Sequence, residues 1–187
     1  MPDSINKTIS VLMFIKENNN FDNKINDIGI GIDVDGTLTR EIIGKDILSL
    51  GSSEAEKAML KCSPKKGIDI LFDDRLSENY NIYIITGRQE AFRCATVEWL
   101  DMYGIPYEEL LMFPDGFYAT NGYSIPKYVN LKLDIHIKKN IRLALDDKEE
   151  VIKAFNDSGI YACKVQDDFR EAFEKVLDLK KDRDDTI

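Results

Sequence analysis

Apolar residues fall in short runs along this chain, and between the runs they recur at helical spacing. IGIGIDV (28–34), YNIYIIT (80–86), ELLMF (109–113), IRLALDD (141–147) and IYACKV (160–165) read as buried strands. IDILFDDRLSEN, EAFRCATVEWLDMYG, YVNLKLDIHIKK, KEEVIKAFNDSG and DDFREAFEKVLDLKK read as helices that alternate with them. Five strands each followed by a helix imply right-handed crossovers. The predicted fold is α/β, a Rossmann-like, mostly parallel sheet of about five strands with helices on both faces. Gly104 and Gly159 mark helix ends, each followed by an isoleucine that begins the approach to a strand. Between Leu38 and Pro64 the alternation breaks for longer than a strand-to-helix turn needs, which predicts a small lid inserted after the first strand.

Three segments follow from this pattern: an N-terminal helix and loop over 1–27, a domain over 28–180 with its lid at about 38–64, and a charged tail over 181–187. Ile5, Ile9, Leu12 and Met13 suit an amphipathic helix that docks on the domain, and NNNFDNKIND reads as a loop. The apolar run Ile9–Ile15 is too short to span a bilayer and has no small-residue cleavage site, so a soluble, cytoplasmic chain with no membrane partner is expected. At 187 residues with 43% hydrophobic content the chain can build its own core. A net charge of -9 argues against a broad nucleic-acid-binding face, although it leaves room for a small basic pocket. Cys62, Cys94 and Cys163 are odd in number and widely spaced, which predicts three buried thiols rather than a disulfide or zinc framework.

Polar groups close three of the apolar runs. Asp33 ends the first strand, Thr86 the second and Asp146 the fourth, and in such sheets ligands bind beyond the carboxyl ends of the strands. Asp33 and Asp35 therefore converge with Asp146 and Asp147, and carboxylates at that density repel unless a cation neutralises them. Hard oxygen donors with no accompanying histidine or cysteine set point to Mg2+. The single histidine, His136, lies on a predicted helix as a structural or surface residue. An aspartate can take a phosphoryl group without a base to deprotonate it, which suits Asp33. Asp35 could protonate the leaving alkoxide and then activate water if its environment raises its pKa, and Gly36 lets the chain turn sharply here. Thr86 and Gly87, at the opening of a helix, offer a hydroxyl and free N–H groups to a phosphate, and Arg88 is placed to contact substrate. For a phosphate-binding lysine, Lys132 is favoured over Lys127 because its helical face carries it inward near the Asp146 strand.

DVDGT (33–37), TGR (86–88), Lys132 or Lys127, and LDD (145–147) together resemble the motif set of the haloacid dehalogenase superfamily, over about 28–180. The resemblance implies that Asp33 is the nucleophile, Asp35 the general acid and base, and Thr86 and Lys132 phosphate binders. It also implies Mg2+ held by Asp33, Asp146, Asp147 and the main-chain carbonyl of Asp35. An aspartate at the second motif position is found in the phosphatases of that superfamily. The stretches from KKGIDILF to FPDG and from LALDDK to ACKV look like the phosphatase domain of polynucleotide kinases and related nucleotide phosphatases. A nucleotide or a nucleic-acid 3′-phosphate end is then the expected substrate, with another small phosphorylated metabolite as the alternative. The absence of a GxxxxGK[ST] run leaves no kinase half. Two other classes stay in view. A non-catalytic protein on the same fold would be expected to lack Asp33 or Asp35, and a receiver domain would be expected to carry its phosphoacceptor at the third strand, where ELLMF has no aspartate.

Overall fold

The structure, a computed structural model, describes residues 28–43, 52–73, 76 and 79–184. The helix and loop expected over 1–27, residues 44–51 of the lid and the last three residues of the tail lie outside the described residues. Strands β1 (Ile28–Ile32), β2 (Tyr80–Gln89), β3 (Glu109–Phe113), β4 (Ile141–Asp146) and β5 (Tyr161–Lys164) form one sheet in the order β3-β2-β1-β4-β5. Every pairing is parallel. The chain winds from β1 outward to β3 and then returns to β4 beside β1. The order reverses at β1, and a crevice opens beyond the carboxyl ends of β1, β2 and β4.

Six helices flank the sheet among the described residues: α1 (Ser52–Leu60), α2 (Arg93–Met102), α3 (Phe117–Asn121), α4 (Ile125–Lys138), α5 (Glu149–Asp157) and α6 (Phe169–Asp184). Three details depart from the sequence pattern. IDILFDDRLSEN begins as a 3-10 turn at Ile68–Phe72 that ends where Asp73 turns extended, whereas Leu76 and Asn79 further along it are helical. The short α3 within FPDGFYATNGYS has too little periodicity to be read ahead. Helix α6 continues to Asp184, into the stretch read as tail. Cys62 and Cys163 are buried as expected, but Cys94 is exposed, because as the second residue of α2 it faces solvent.

The alternation within the strands divides the core. Ile30, Ile32, Ile84, Leu143 and Leu145 point to one face, where they meet Met59 of α1, Trp99 of α2 and Phe173 of α6. Ala144 and Ala162 point to the other, against Val129 of α4 and Phe155 of α5. On that second face β1 presents only Gly29 and Gly31. A Cβ on Gly31 would stand 2.2 Å from His136 Nε2, so IGIGI lets α4 approach the centre of the sheet more closely than any side chain would allow. Asp33 and Asp146 continue the strand periods of Gly31 and Ala144 and so emerge on the α4 side, beside Lys132.

Of the 38–64 insertion, Ser52–Leu60 is a helix whose Ala55 and Met59 join the core beside Trp99, and the Trp99 indole donates to the carbonyl of Cys62 at 2.9 Å. Thr39 bridges Pro64 and closes its base. Only Ile42 and Ile43 of its described residues border the crevice.

Candidate active site

The Asp33 amide donates to the carbonyl of Leu145 at 3.0 Å, which extends the β1–β4 pairing and sets Asp33 beside Asp146. Both carboxylates are nearly fully buried, as is Lys132 between them. The Lys132 Nζ lies 2.6 Å from Asp146 Oδ2 and 2.8 Å from Asp33 Oδ1. Burial alone would lower the lysine's pKa, but Asp146 and Asp33 outweigh it and hold the ammonium above its ordinary value. Asp33 is pushed upward by burial, against the pull of Lys132. Its Oδ2 has no hydrogen-bond partner among the described residues. Lys127, the other candidate lysine, is exposed and donates to Asn121 at 3.0 Å.

Asp35 faces away from this group. Its Oδ1 accepts from Arg88 Nη2 at 2.7 Å and its Oδ2 from Arg88 Nε at 3.0 Å, while Arg88 Nη1 donates to Thr96 at 3.3 Å. Burial raises the pKa of Asp35, with Arg88 acting in the opposite sense. Arg88 reaches it because Gly87 and Arg88 leave the β2–β3 ladder: Thr86 pairs with Met112 and Gln89 with Phe113, so two residues on β2 have no counterpart on β3. The strand runs on to Gln89, and α2 starts only at Arg93 after a 3-10 turn, so Gly87 does not open a helix as the sequence suggested. Thr86 is fully buried and its hydroxyl accepts from the Arg88 amide at 3.2 Å.

Asp33, Asp146 and Asp147 present oxygen atoms that all lie within 4.8 Å of one another. That donor set, with the unpartnered Asp33 Oδ2 among it, fits a hard divalent cation such as Mg2+. The Asp35 carboxylate is taken by Arg88, which leaves its main-chain carbonyl as the atom it could offer. Each acidic side chain nonetheless has a cation against it, because Lys148 pairs with Asp147 at 3.1 Å. The uncompensated repulsion expected from the sequence is therefore absent here. The DVDGT turn is further tied by Lys65, whose ammonium donates to the carbonyls of Gly36 and Gln166.

A cavity of about 180 Å3 opens on Asp33 and Asp35, with Gly87, Arg88 and Lys148 at the same end and Ile42, Ile43, Tyr118, Tyr123, Ile125 and Tyr128 around the rest. Lys148 is the cation the sequence reading passed over. It lies 5.2 Å from the Tyr128 ring centroid, and although burial would lower its pKa, Asp33 above all raises it. Its position directly after LDD was the available signal. His136 is buried, its Nδ1 2.9 Å from the carbonyl of Lys132, and it takes no part in the cavity.

Solved structures share this architecture. A chain of the Pnkp1/Rnl/Hen1 complex superposes with a TM-score of 0.56 and 21% identity over 77% of this chain and 47% of its own. A second, from the Pnkp1/Rnl/Hen1 RNA repair complex, gives 0.55 and 20% over 88% and 56%. Phosphoserine phosphatase in its apo form gives 0.50 and 13% over 80% and 98%. The chain has the haloacid dehalogenase fold. It spans about half the length of the two repair-complex chains. No protein-family model and no curated protein matches the sequence. Among the described residues of this haloacid dehalogenase fold, no helix is long and apolar enough to cross a membrane.

Proposed function

We propose that this chain is a magnesium-dependent phosphomonoester hydrolase acting through an aspartyl-phosphate on Asp33, with a nucleotide or a nucleic-acid 3′-phosphate end as substrate. The observation that carries the reading is the Asp33 carboxylate itself. One oxygen is held by Lys132, and the other has no hydrogen-bond partner among the described residues and lies beside a cavity that also exposes Asp35 and Lys148.

In this reading Asp33 Oδ2 attacks phosphorus and forms an O–P bond as the ester O–P bond breaks. Asp35 gives its proton to the departing alkoxide. Water then attacks the acyl phosphate, Asp35 takes the proton back, and inorganic phosphate leaves with Asp33 restored. Burial raises the Asp35 pKa, the sense that an acid–base role needs, while Arg88 acts against it. Arg88 positions the Asp35 carboxylate. Lys132 opposes the effect of burial on Asp33, and Lys132, Lys148, Thr86 and the Gly87 backbone supply the phosphate-binding groups. Asp33, Asp146, Asp147 and the Asp35 carbonyl would hold Mg2+, which supplies Lewis-acid stabilisation of the phosphoryl oxygens.

The resemblance in architecture to chains of an RNA repair complex is the support for a nucleotide or nucleic-acid end, and the resemblance to phosphoserine phosphatase keeps another small phosphorylated metabolite as the alternative. The test is phosphate release, with and without Mg2+, from nucleoside monophosphates, 3′-phosphorylated oligonucleotides, sugar phosphates and phosphopeptides. Turnover that needs Mg2+ and disappears in Asp33→Asn supports the reading. Equal turnover in Asp33→Asn, with contaminating phosphatase excluded, overturns it.

A further inference from the structure

The cavity has two chemically distinct ends. Charged groups crowd the end at Asp33, where Asp35, Arg88 and Lys148 meet, whereas the mouth is built from Ile42, Ile43, Tyr118, Tyr123 and Ile125. Tyr118 links the two ends, since its hydroxyl donates to the carbonyl of Gly87 at 2.9 Å while its ring carries Tyr123. Those rings stack with centroids 4.7 Å apart and planes 13° from parallel. Tyr123 is 46% exposed, Ile42 58% and Ile125 43%. Exposed large apolar side chains are few on the described surface, and three of them rim this one opening. Contiguous apolar surface of that kind is costly to leave in water and marks a binding surface.

Resting on the hydrolase reading for its chemistry, we infer that the Tyr118–Tyr123 stack, faced by Ile42 and Ile125, is a platform for the nucleobase of a nucleotide whose phosphate lies at Asp33. A flat base would extend the existing ring stack, and the isoleucines would cover its remaining apolar surface. Of the residues that line the cavity, the charged ones are Asp33, Asp35, Arg88 and Lys148, all at the phosphate end. The partial burial of Tyr118 and the greater exposure of Tyr123 set the platform outward from the phosphate end, as a base separated from its phosphate by a sugar requires. A phenyl ester would place its ring at the inner wall, against Tyr128 and Tyr118, and leave Tyr123 uncovered.

The experiment is equilibrium binding by calorimetry to the Asp33→Asn protein with Mg2+. The probes are adenosine 3′-monophosphate, adenosine 5′-monophosphate, ribose 5-phosphate and phenyl phosphate. Base–aromatic stacking predicts that at least one adenosine monophosphate binds roughly 5- to 150-fold more tightly than ribose 5-phosphate. Adding Tyr123→Ala should remove most of that ratio, and Tyr123→Phe should retain it. The inference is overturned if neither nucleotide outbinds ribose 5-phosphate, if Tyr123→Ala weakens every probe alike, or if phenyl phosphate matches the better nucleotide. Hydrolysis by the unmodified protein is measured in parallel. Base-selective binding without phosphate release would retire the hydrolase reading and leave the platform standing, and release without base selectivity would do the reverse.

Discussion

Arg88 grips Asp35 through two guanidinium nitrogens, with its Nη2 2.7 Å from the Asp35 Oδ1, and both side chains are almost fully withdrawn from water. That pairing makes Arg88 a positioning residue for Asp35 as well as part of the cavity wall. Arg88→Ala should therefore lower turnover on every substrate by a similar factor and leave substrate preference nearly unchanged. It should also destabilise the fold by about 3 to 5 kcal/mol, because it strands a buried carboxylate. Lysine cannot reproduce the two-pronged contact, so Arg88→Lys should recover little. The checks are kcat/KM on three unrelated phosphomonoesters and denaturant midpoints. A change in the order of substrates would return Arg88 to the leaving-group side.

The two aspartates should separate by substrate reactivity. Asp33→Asn removes the nucleophile and should abolish turnover on all esters. Asp35→Asn removes the proton donor and should slow alkyl esters by about 10²- to 10⁴-fold. The p-nitrophenolate leaving group needs little protonation, so Asp35→Asn should cost p-nitrophenyl phosphate much less. Equal losses on the two ester types would argue that Asp35 only orders the site.

The parallel sheet was readable because each strand is a closed apolar run and each crossover has helical spacing. Asp33, Asp35, Asp146 and Asp147 were readable because polar groups at the ends of such runs must meet at one edge of the sheet. What could not be read depends on register and tertiary approach. The Gly87–Arg88 bulge has no sequence mark that separates it from a strand end, and it decides that Arg88 meets Asp35. Lys148 is marked in the sequence only by its place directly after LDD, and its role emerges once Tyr128 and Asp33 are brought beside it from other elements. Tyr118 lies within α3 and Tyr123 in the turn that follows it, with no obvious period between them, so their stacking follows only from the path between β3 and α4.

Lys132 changes what removal of an acidic residue should do. Carboxylates in mutual repulsion would make Asp146→Ala neutral or stabilising without metal. With the ammonium 2.6 Å from Asp146, and with the Lys148 amide donating to Asp146 Oδ1 at 2.9 Å, the same substitution should instead lower the metal-free midpoint. Mg2+ at about 100 times its Kd should add roughly 2.7 kcal/mol to the unmodified protein. For a chain of this size that is a rise on the order of 5 to 10 °C. Asp146→Ala should lose most of this rise. Melting curves with Mg2+ and with chelator, at constant ionic strength, decide both points, and an undiminished Mg2+ shift in the variant would move the metal elsewhere.

His136 couples the core beneath the site to pH. A carbonyl can only accept, so the Lys132 carbonyl 2.9 Å from Nδ1 fixes the proton there, while Nε2 faces Gly31 with no hydrogen-bond partner among the described residues. Burial lowers the histidine's pKa to about 4. The unfolded chain binds this proton near pH 6.5 and the folded chain does not, so the contribution is complete above about pH 6.5 and declines as pH falls toward 4. Linkage gives a loss of about 2 kcal/mol between pH 7 and 5. Asp33 and Asp35, whose folded pKa values are raised, act in the opposite sense, so the histidine's share is the difference between the unmodified protein and His136→Gln at the two pH values. A difference near zero would mean that the imidazole protonates in place. The packing argument has its own check, because a methyl at Gly31 would press on Nε2 from 2.2 Å. Gly31→Ala should cost about 1 to 3 kcal/mol, and markedly less in a His136→Ala background, since the two side chains compete for one space. Additive costs would show that Gly31 is required by the strand and not by the approach of α4.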